Sequence, residues 1–169
     1  MDTHVLDQLS HDELRQYTEF LLWHYRVMDA FWFIYVAERF DQETAERVNE
    51  EVWERVSGMG AKDLIARFEV EQKGLDGFLE VLGLYPWSIL IGYETEREGD
   101  EGILSVPSCP VQEARLKRGI GEYDCKEMHR REFERIAKTV DERIEVECRF
   151  APPDEHPECM FCQWRFRLA

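Results

Sequence analysis

The residues able to do chemistry gather in the second half of the chain: five cysteines from Cys109 onward, with His129 and His156 among them. An apolar run (Ile103, Leu104, Val106) leads into Cys109, and Pro110-Val111-Gln112-Glu113 follows it. Proline suits the first position of a helix, because the N–H it lacks would have had no partner there. Cys109 is therefore predicted at or next to a helix N-cap, close to free backbone N–H groups and the positive end of the helix dipole. That setting favours thiolate, the form that attacks electrophiles and binds metals. The other reading of the same position is a buried cysteine that merely precedes a helix.

Cys125 opens a second predicted helix, with His129 one turn later. Cys162 shares a predicted strand face with Trp164 and Phe166, so it looks inward. Three thiols from three elements, Cys109, Cys125 and Cys162, would then make a site for zinc or iron with room for a further ligand. His129 and Glu113, each one turn beyond a cysteine, are the candidates for that position. Cys159-Met160-Phe161-Cys162 is a Cys-x-x-Cys at a strand start with an apolar interior, so it does not read as a thioredoxin-type motif, and it has no second copy to complete a zinc ribbon. Cys148 reads as packing on an apolar strand face, and His156 as a surface or capping residue.

These groups must be positioned by the elements around them. Ser10-His11-Asp12-Glu13 has the form of a capping box and starts a helix that runs without Gly or Pro to about Phe40. Aromatics on more than one face of it, from Phe20 to Phe40, predict a central, buried helix. Asp29 within that stretch needs a partner: either Arg26 or another cation pairs with it, or it points into a pocket beside Trp32. A second helix is predicted from Asp41 to about Ser57, with an acidic, solvated outer face (Glu46, Glu50, Glu54) and an end at Gly58-Met59-Gly60. A third runs from Ala61 to about Val81, with a possible break at Gly74 or Gly77. Alternation then predicts a strand over Trp87 to Thr95, a turn at Glu98–Gly102 and a returning strand over Ile103 to Val106. After the Cys109 and Cys125 helices come a strand over Glu142 to Phe150, a rigid loop from Ala151 to Pro157, and a strand over Met160 to Leu168. The fold class is α+β: a helical half over residues 1–83, then a cysteine-containing half over 84–169 in which an antiparallel sheet of two β-hairpins has two helices between them. The whole, residues 1–169, is read as one domain.

Thirty-six acidic against 21 basic residues give a net charge of −15, which argues against nucleic acid and anionic membrane surfaces as partners. No targeting signal precedes the first helix and no apolar run approaches the ~20 residues of a membrane span. The expected location is the cytoplasm, where thiols stay reduced, so the five cysteines point to metal binding or catalysis instead of a disulfide framework, and their odd number rules out complete pairing. The expected partners are a small-molecule ligand or substrate and, in a homodimer, a second copy of the chain.

The order strand, Cys109-Pro110-x-x-Glu113, Gly119/Gly121, Tyr123-x-Cys125, then a strand pair ending Cys162-x-Trp164-x-Phe166, resembles the aminothiazoline-carboxylate hydrolase-like family. It looks closer still to a group of uncharacterised prokaryotic domains related to that family, in which a motif like Asp29-x-x-Trp32-Phe33 precedes the cysteine half. The resemblance implies opening of a small heterocyclic or amide-like substrate, with Cys109, Cys125 and Cys162 at the site. Where the hydrolases carry an Asp shortly after the second cysteine, this chain has Met128, flanked by Glu127 and His129. A bound metal would polarise the scissile bond or activate water, His129 or Glu113 would move the proton, and Asp29, Trp32 and Tyr123 would line the substrate pocket. A metal-free variant uses Cys109 as nucleophile. The element order also resembles, at the level of fold, the ligand-binding domains of the vinyl-reductase type, which implies a non-enzymatic sensor or carrier. The plainest alternative is a folded domain with inert thiols.

Overall fold

A computed structural model describes residues 2–169 and arranges them as six α-helices and four β-strands. α1 (His11–Arg39) starts at the predicted capping box: Ser10 accepts from the Glu13 backbone N–H, and the Glu13 carboxylate accepts from Ser10 N at 2.8 Å. The burial expected for this helix is not found. No residue of α1 is buried, and Leu14, Tyr17, Phe20, Leu21, Trp23, Met28, Phe31 and Tyr35 are exposed. The helix packs through one face only, where Tyr25 meets Trp53 and Trp87, and Phe33 meets the Tyr123 ring at 5.2 Å. Aromatics around a helix show that it is apolar; they do not show how many of its faces find a neighbour.

α2 (Gln42–Phe68), capped by Asp41, runs straight through Gly58 and Gly60 instead of ending there. The reason is packing. The Tyr85 ring lies against α2 and its hydroxyl donates to the Ser57 carbonyl, so that a Cβ at Gly60 would sit 3.1 Å from the Tyr85 oxygen. The chain breaks later, at Glu69, whose φ of 52° is left-handed and closes the helix. The predicted third helix thus divides: its first part belongs to α2, and its second is α3 (Gly74–Gly83). Gly77 faces the Gln72 carbonyl, with no space for a side chain between them.

The segment from Trp87 to Thr95 is also corrected. Pro86 stands at the first position of a short helix, α4 (Pro86–Ile91), which Gly92 closes in the left-handed region. Trp87 and Ile91, four residues apart, share a helical face as well as alternating, and the proline decides between the two patterns. Only then does β1 (Glu94–Glu98) begin, exposed along its length at the sheet edge. It is followed by β2 (Glu101–Val106), α5 (Pro110–Lys117), α6 (Lys126–Val140), β3 (Ile144–Phe150) and β4 (Cys162–Leu168).

The sheet order is β1-β2-β4-β3, with every neighbour antiparallel, so the two predicted hairpins join through β2 and β4. Its inner face (Leu104, Val106, Trp164, Phe166) is buried against Phe133, Ile136 and Ala137 of α6 and Phe78 and Leu82 of α3. Its outer face carries ion pairs such as Arg165 with Glu101 and Glu147. Each exposed pair contributes ~1 kcal/mol at most, against roughly 1.5–3 kcal/mol for each large apolar side chain buried. The inner face therefore sets the register. α2 and α6 lie along one another, and the acidic side of α2 is not merely solvated: Glu50 and Glu54 pair with Arg131, and Glu54 also with Arg135.

Candidate functional site

Where α5 and α6 begin, the inner sheet face meets α1, α2 and α4 around a cavity of about 90 Å³. Cys109 is the N-cap of α5 and Cys125 the N-cap of α6, as the sequence predicts, and neither thiol bonds to its own helix end. Cys162 opens β4, opposite Val106. All three line the cavity. So do His129, Glu132 and Asp29, with Trp87, Tyr93, Phe133 and Phe161 among the apolar walls. Cys148 lies outside, half-buried across from Trp164 on the sheet, and Cys159 is exposed in the β3–β4 loop.

The loop after β3 closes one side. Pro152 lines the cavity and its carbonyl accepts from Lys126 N, while Lys126 Nζ binds Asp154 at 2.7 Å. Gln112, 1% exposed, ties the start of α5 to the segment before α6. Its Nε2 donates to the Tyr123 carbonyl at 2.8 Å and to Cys125 Sγ at 3.4 Å, and its Oε1 accepts from Tyr123 N. Both α5 and α6 are held by this one amide.

The polar series of the site runs along α6. His129 Nδ1 lies 2.8 Å from Glu132 Oε2, and Cys125 stands one helical turn earlier, lining the same cavity. Burial by itself would lower the histidine, but its neighbours Cys125 and Glu132 outweigh it and hold His129 up to about 10. Burial pushes the Cys109 thiol up to about 11, against the opposing N–H groups of Gln112 and Val111. The activated thiolate expected of Cys109 from its helix end is therefore corrected: loss of water outweighs the helix terminus. Cys162 is pushed far up, by burial first and by Cys125 second. Tyr93 is raised as well, by burial and then by Glu132 and the three thiols around it.

The remaining predicted residues divide. Asp29 reaches the cavity without the Arg26 pairing: Trp32 Nε1 donates to its Oδ1 at 3.3 Å, and burial raises its carboxyl despite that bond, with Glu132 adding to the rise. Trp32 thus supports Asp29 from outside the cavity wall. Tyr123 lines the cavity and its hydroxyl accepts from Asn49 Nδ2 at 2.9 Å. Glu113 does not arrive; the Ser108 hydroxyl donates to it at 2.6 Å on the outer side of α5. His156 stands apart, bonded to Glu122 at 3.0 Å. Glu132 was the residue missed, although its place three after His129 on one helix face was readable. Among the described residues no group of three or more His, Cys, Asp or Glu is set closely enough to hold a metal ion. No described helix is long and apolar enough to cross a membrane.

From residue 7 to residue 168 the sequence matches DUF6125, a family of unknown function, and the chain belongs to that family. Neither a curated protein nor a solved structure matches it.

The His129 pairing predicts a pH dependence with a definite sign. A folded value near 10 above the ordinary 6.5 makes the folded state the tighter proton binder between the two. Stability is then complete below about 6.5 and is lost as pH rises through that window. Urea unfolding from about pH 6 to about pH 9 should show stability falling by roughly 1 kcal/mol per pH unit, with His129→Gln removing most of the slope. A flat wild-type profile would contradict the pairing.

Proposed function

We propose that this member of the family is a thiol-dependent hydrolase acting on a small heterocyclic or amide-like compound, with Cys125 as nucleophile. The observation that carries this reading is that Cys125, His129 and Glu132 follow one another along α6 and line one mostly apolar cavity, with His129 bonded to Glu132. A nucleophile, a base within reach and a third group orienting the base are what acyl transfer requires. Cys125 Sγ attacks the electrophilic carbon with the proton of the pair already resting on His129. That proton then leaves with the departing nitrogen, so that a C–S bond replaces a C–N bond. Water, deprotonated by His129, next replaces sulfur on the same carbon and restores the thiol. Glu132 fixes the imidazole throughout, and Asp29 on the cavity wall helps line the substrate pocket. The nucleophile is thus moved from Cys109 to Cys125, the cysteine with a base beside it. The resemblance of the cysteine pattern to the aminothiazoline-carboxylate hydrolase-like family supports the substrate class. The five unpaired thiols fit the cytoplasm.

One observation favours a second reading. Cys109, Cys125 and Cys162 face a single cavity, and thiolates are suitable ligands for zinc or iron. On this reading an ion would draw the three sulfurs and His129 closer than they stand in this structure, and the same chamber senses or carries a metal or small molecule. Two measurements on protein purified without oxygen separate the readings: metal content by elemental analysis, and iodoacetamide labelling followed by mass spectrometry. The hydrolase reading expects metal-free protein, labelling fastest at Cys125, and a rate about a hundredfold lower in His129→Gln, the low end of what a positioned acid–base group contributes. One equivalent of zinc or iron, lost in both Cys109→Ser and Cys162→Ser, would replace it with the metal reading.

A second copy of the chain is the macromolecular partner we propose, with α1 as the contact. Leu14, Tyr17, Leu21, Met28, Phe31 and Tyr35 recur at steps of three, four and seven along its uncovered side, the spacing of a helix-pairing seam. Light scattering after size exclusion should give twice the chain mass, and Leu21→Glu with Met28→Glu should return it to the monomer. A monomeric wild type would contradict this partner.

A further inference from the structure

We infer that the groove between α1 and α5 is a binding site for an amphipathic anion, a carboxylate on an apolar body that also carries an N–H donor. The groove is separate from the thiol chamber but shares a wall with it: Asp29, Asn49, Trp87, Val111 and Tyr123 line both. Its volume of about 380 Å³ is four times that of the chamber and lies in the ordinary range for small-molecule sites. Its floor is apolar, with Val27, Phe33, Ile34 and Ile120 among the lining side chains.

Charge selects the sign of the ligand. The chain carries a net charge of −15, and many of its arginines are consumed in ion pairs. Three that line the groove are not. Arg26, Arg115 and Arg118 are in no ion pair among the described residues. Arg115 is held in place by donating to the Gly121 and Ile120 carbonyls, and its guanidinium lies 6.0 Å from the Tyr123 ring centroid. Among the described residues a single acidic side chain lines the groove, Asp29, and burial there favours its neutral form. Guanidinium groups without carboxylates, gathered over an apolar floor, are suited to a carboxylate on an apolar body.

A second observation points to the donor. Asn49, 5% exposed on the shared wall, gives its Nδ2 to Tyr123, and its Oδ1 is buried without a hydrogen-bond partner. A buried acceptor left unpaired costs ~1–3 kcal/mol, and an N–H on a ligand lying across the junction would satisfy it. An N-acylated amino acid has all three features: an acyl chain for the floor, an amide N–H for Asn49 and a carboxylate for the arginines.

Calorimetric titration of N-octanoylglycine and its methyl ester into the full chain tests this without requiring any turnover. The acid should bind saturably, one per chain, and the ester about tenfold more weakly, as expected for loss of a charge-assisted contact. Arg26→Gln with Arg118→Gln, two side chains without an ion pair or hydrogen bond among the described residues, should bring the acid down to the affinity of the ester. Cys125→Ser should bind the acid as wild type does, so that failure of the thiol chemistry and failure of the groove are told apart. Equal affinity for acid and ester, an arginine variant that binds the acid unchanged, or no saturable binding would each overturn the assignment. Loss of binding in Cys125→Ser would move the ligand into the chamber and overturn it as well.

Discussion

A carboxylate that is 3% exposed must have a partner, and in this fold Glu132 depends on His129 for it. Removing one member of a buried, paired charge costs several kcal/mol, because the other remains without water or counter-ion. That requirement places the imidazole on the inner face of α6, stacked against Phe133 with centroids 5.5 Å apart. Phe133 in turn meets Trp164 of the sheet, edge to face at 5.2 Å. The same helix begins at Cys125, so the thiol stands one turn from the imidazole as a consequence of helical geometry. The core, the ion pair and the reactive sulfur are thus three aspects of how one helix is seated.

The sequence disclosed those parts of the site that local rules control. Pro110 at a first helical position located Cys109, and the strand parity of Cys162 with Trp164 and Phe166 turned it inward, where the structure has it. The spacing of Cys125 and His129 was legible for the same reason, and Glu132 would have followed from one further step along the face. Other features depend on what lies across a gap, which no local pattern reports. Gly58 and Gly60 read as a helix end until Tyr85, remote in sequence, proves to fill the space they leave. Trp87 to Tyr93 fits alternation and helical spacing alike over so few residues, and it was the proline beside it that decided. Glu113 had a suitable spacing, but Ser108 on the outer side of α5 holds it. Gln112 and Asn49 carry no sequence signal at all, since a lone amide becomes structural only through the partners that distant segments bring.

The thiols show how placement changes chemistry. A cysteine at a helix end in water loses its proton more readily, whereas Cys109 has the helix end but a half-buried, largely apolar setting, and the second effect prevails. Cys162 gains nothing from any neighbour comparable to its loss of solvent, and the other sulfurs nearby oppose its ionisation further. Cys125 alone has both an amide donor, Gln112, and an imidazole beside it. A protein can resolve three crowded thiols by leaving two protonated or by binding a cation among them. The proposed chemistry rests on the first solution, and the larger, arginine-lined groove shares a wall with the chamber.

The central claim is that Cys125, His129 and Glu132 act as one proton-holding unit, and nitrogen-detected NMR of the His129 imidazole across pH measures it most directly. The account predicts a His129 ring still protonated above about pH 8, with both Cys125→Ser and Glu132→Gln lowering its titration midpoint toward the ordinary histidine value. A wild-type midpoint already at that ordinary value, unmoved in both variants, would contradict it.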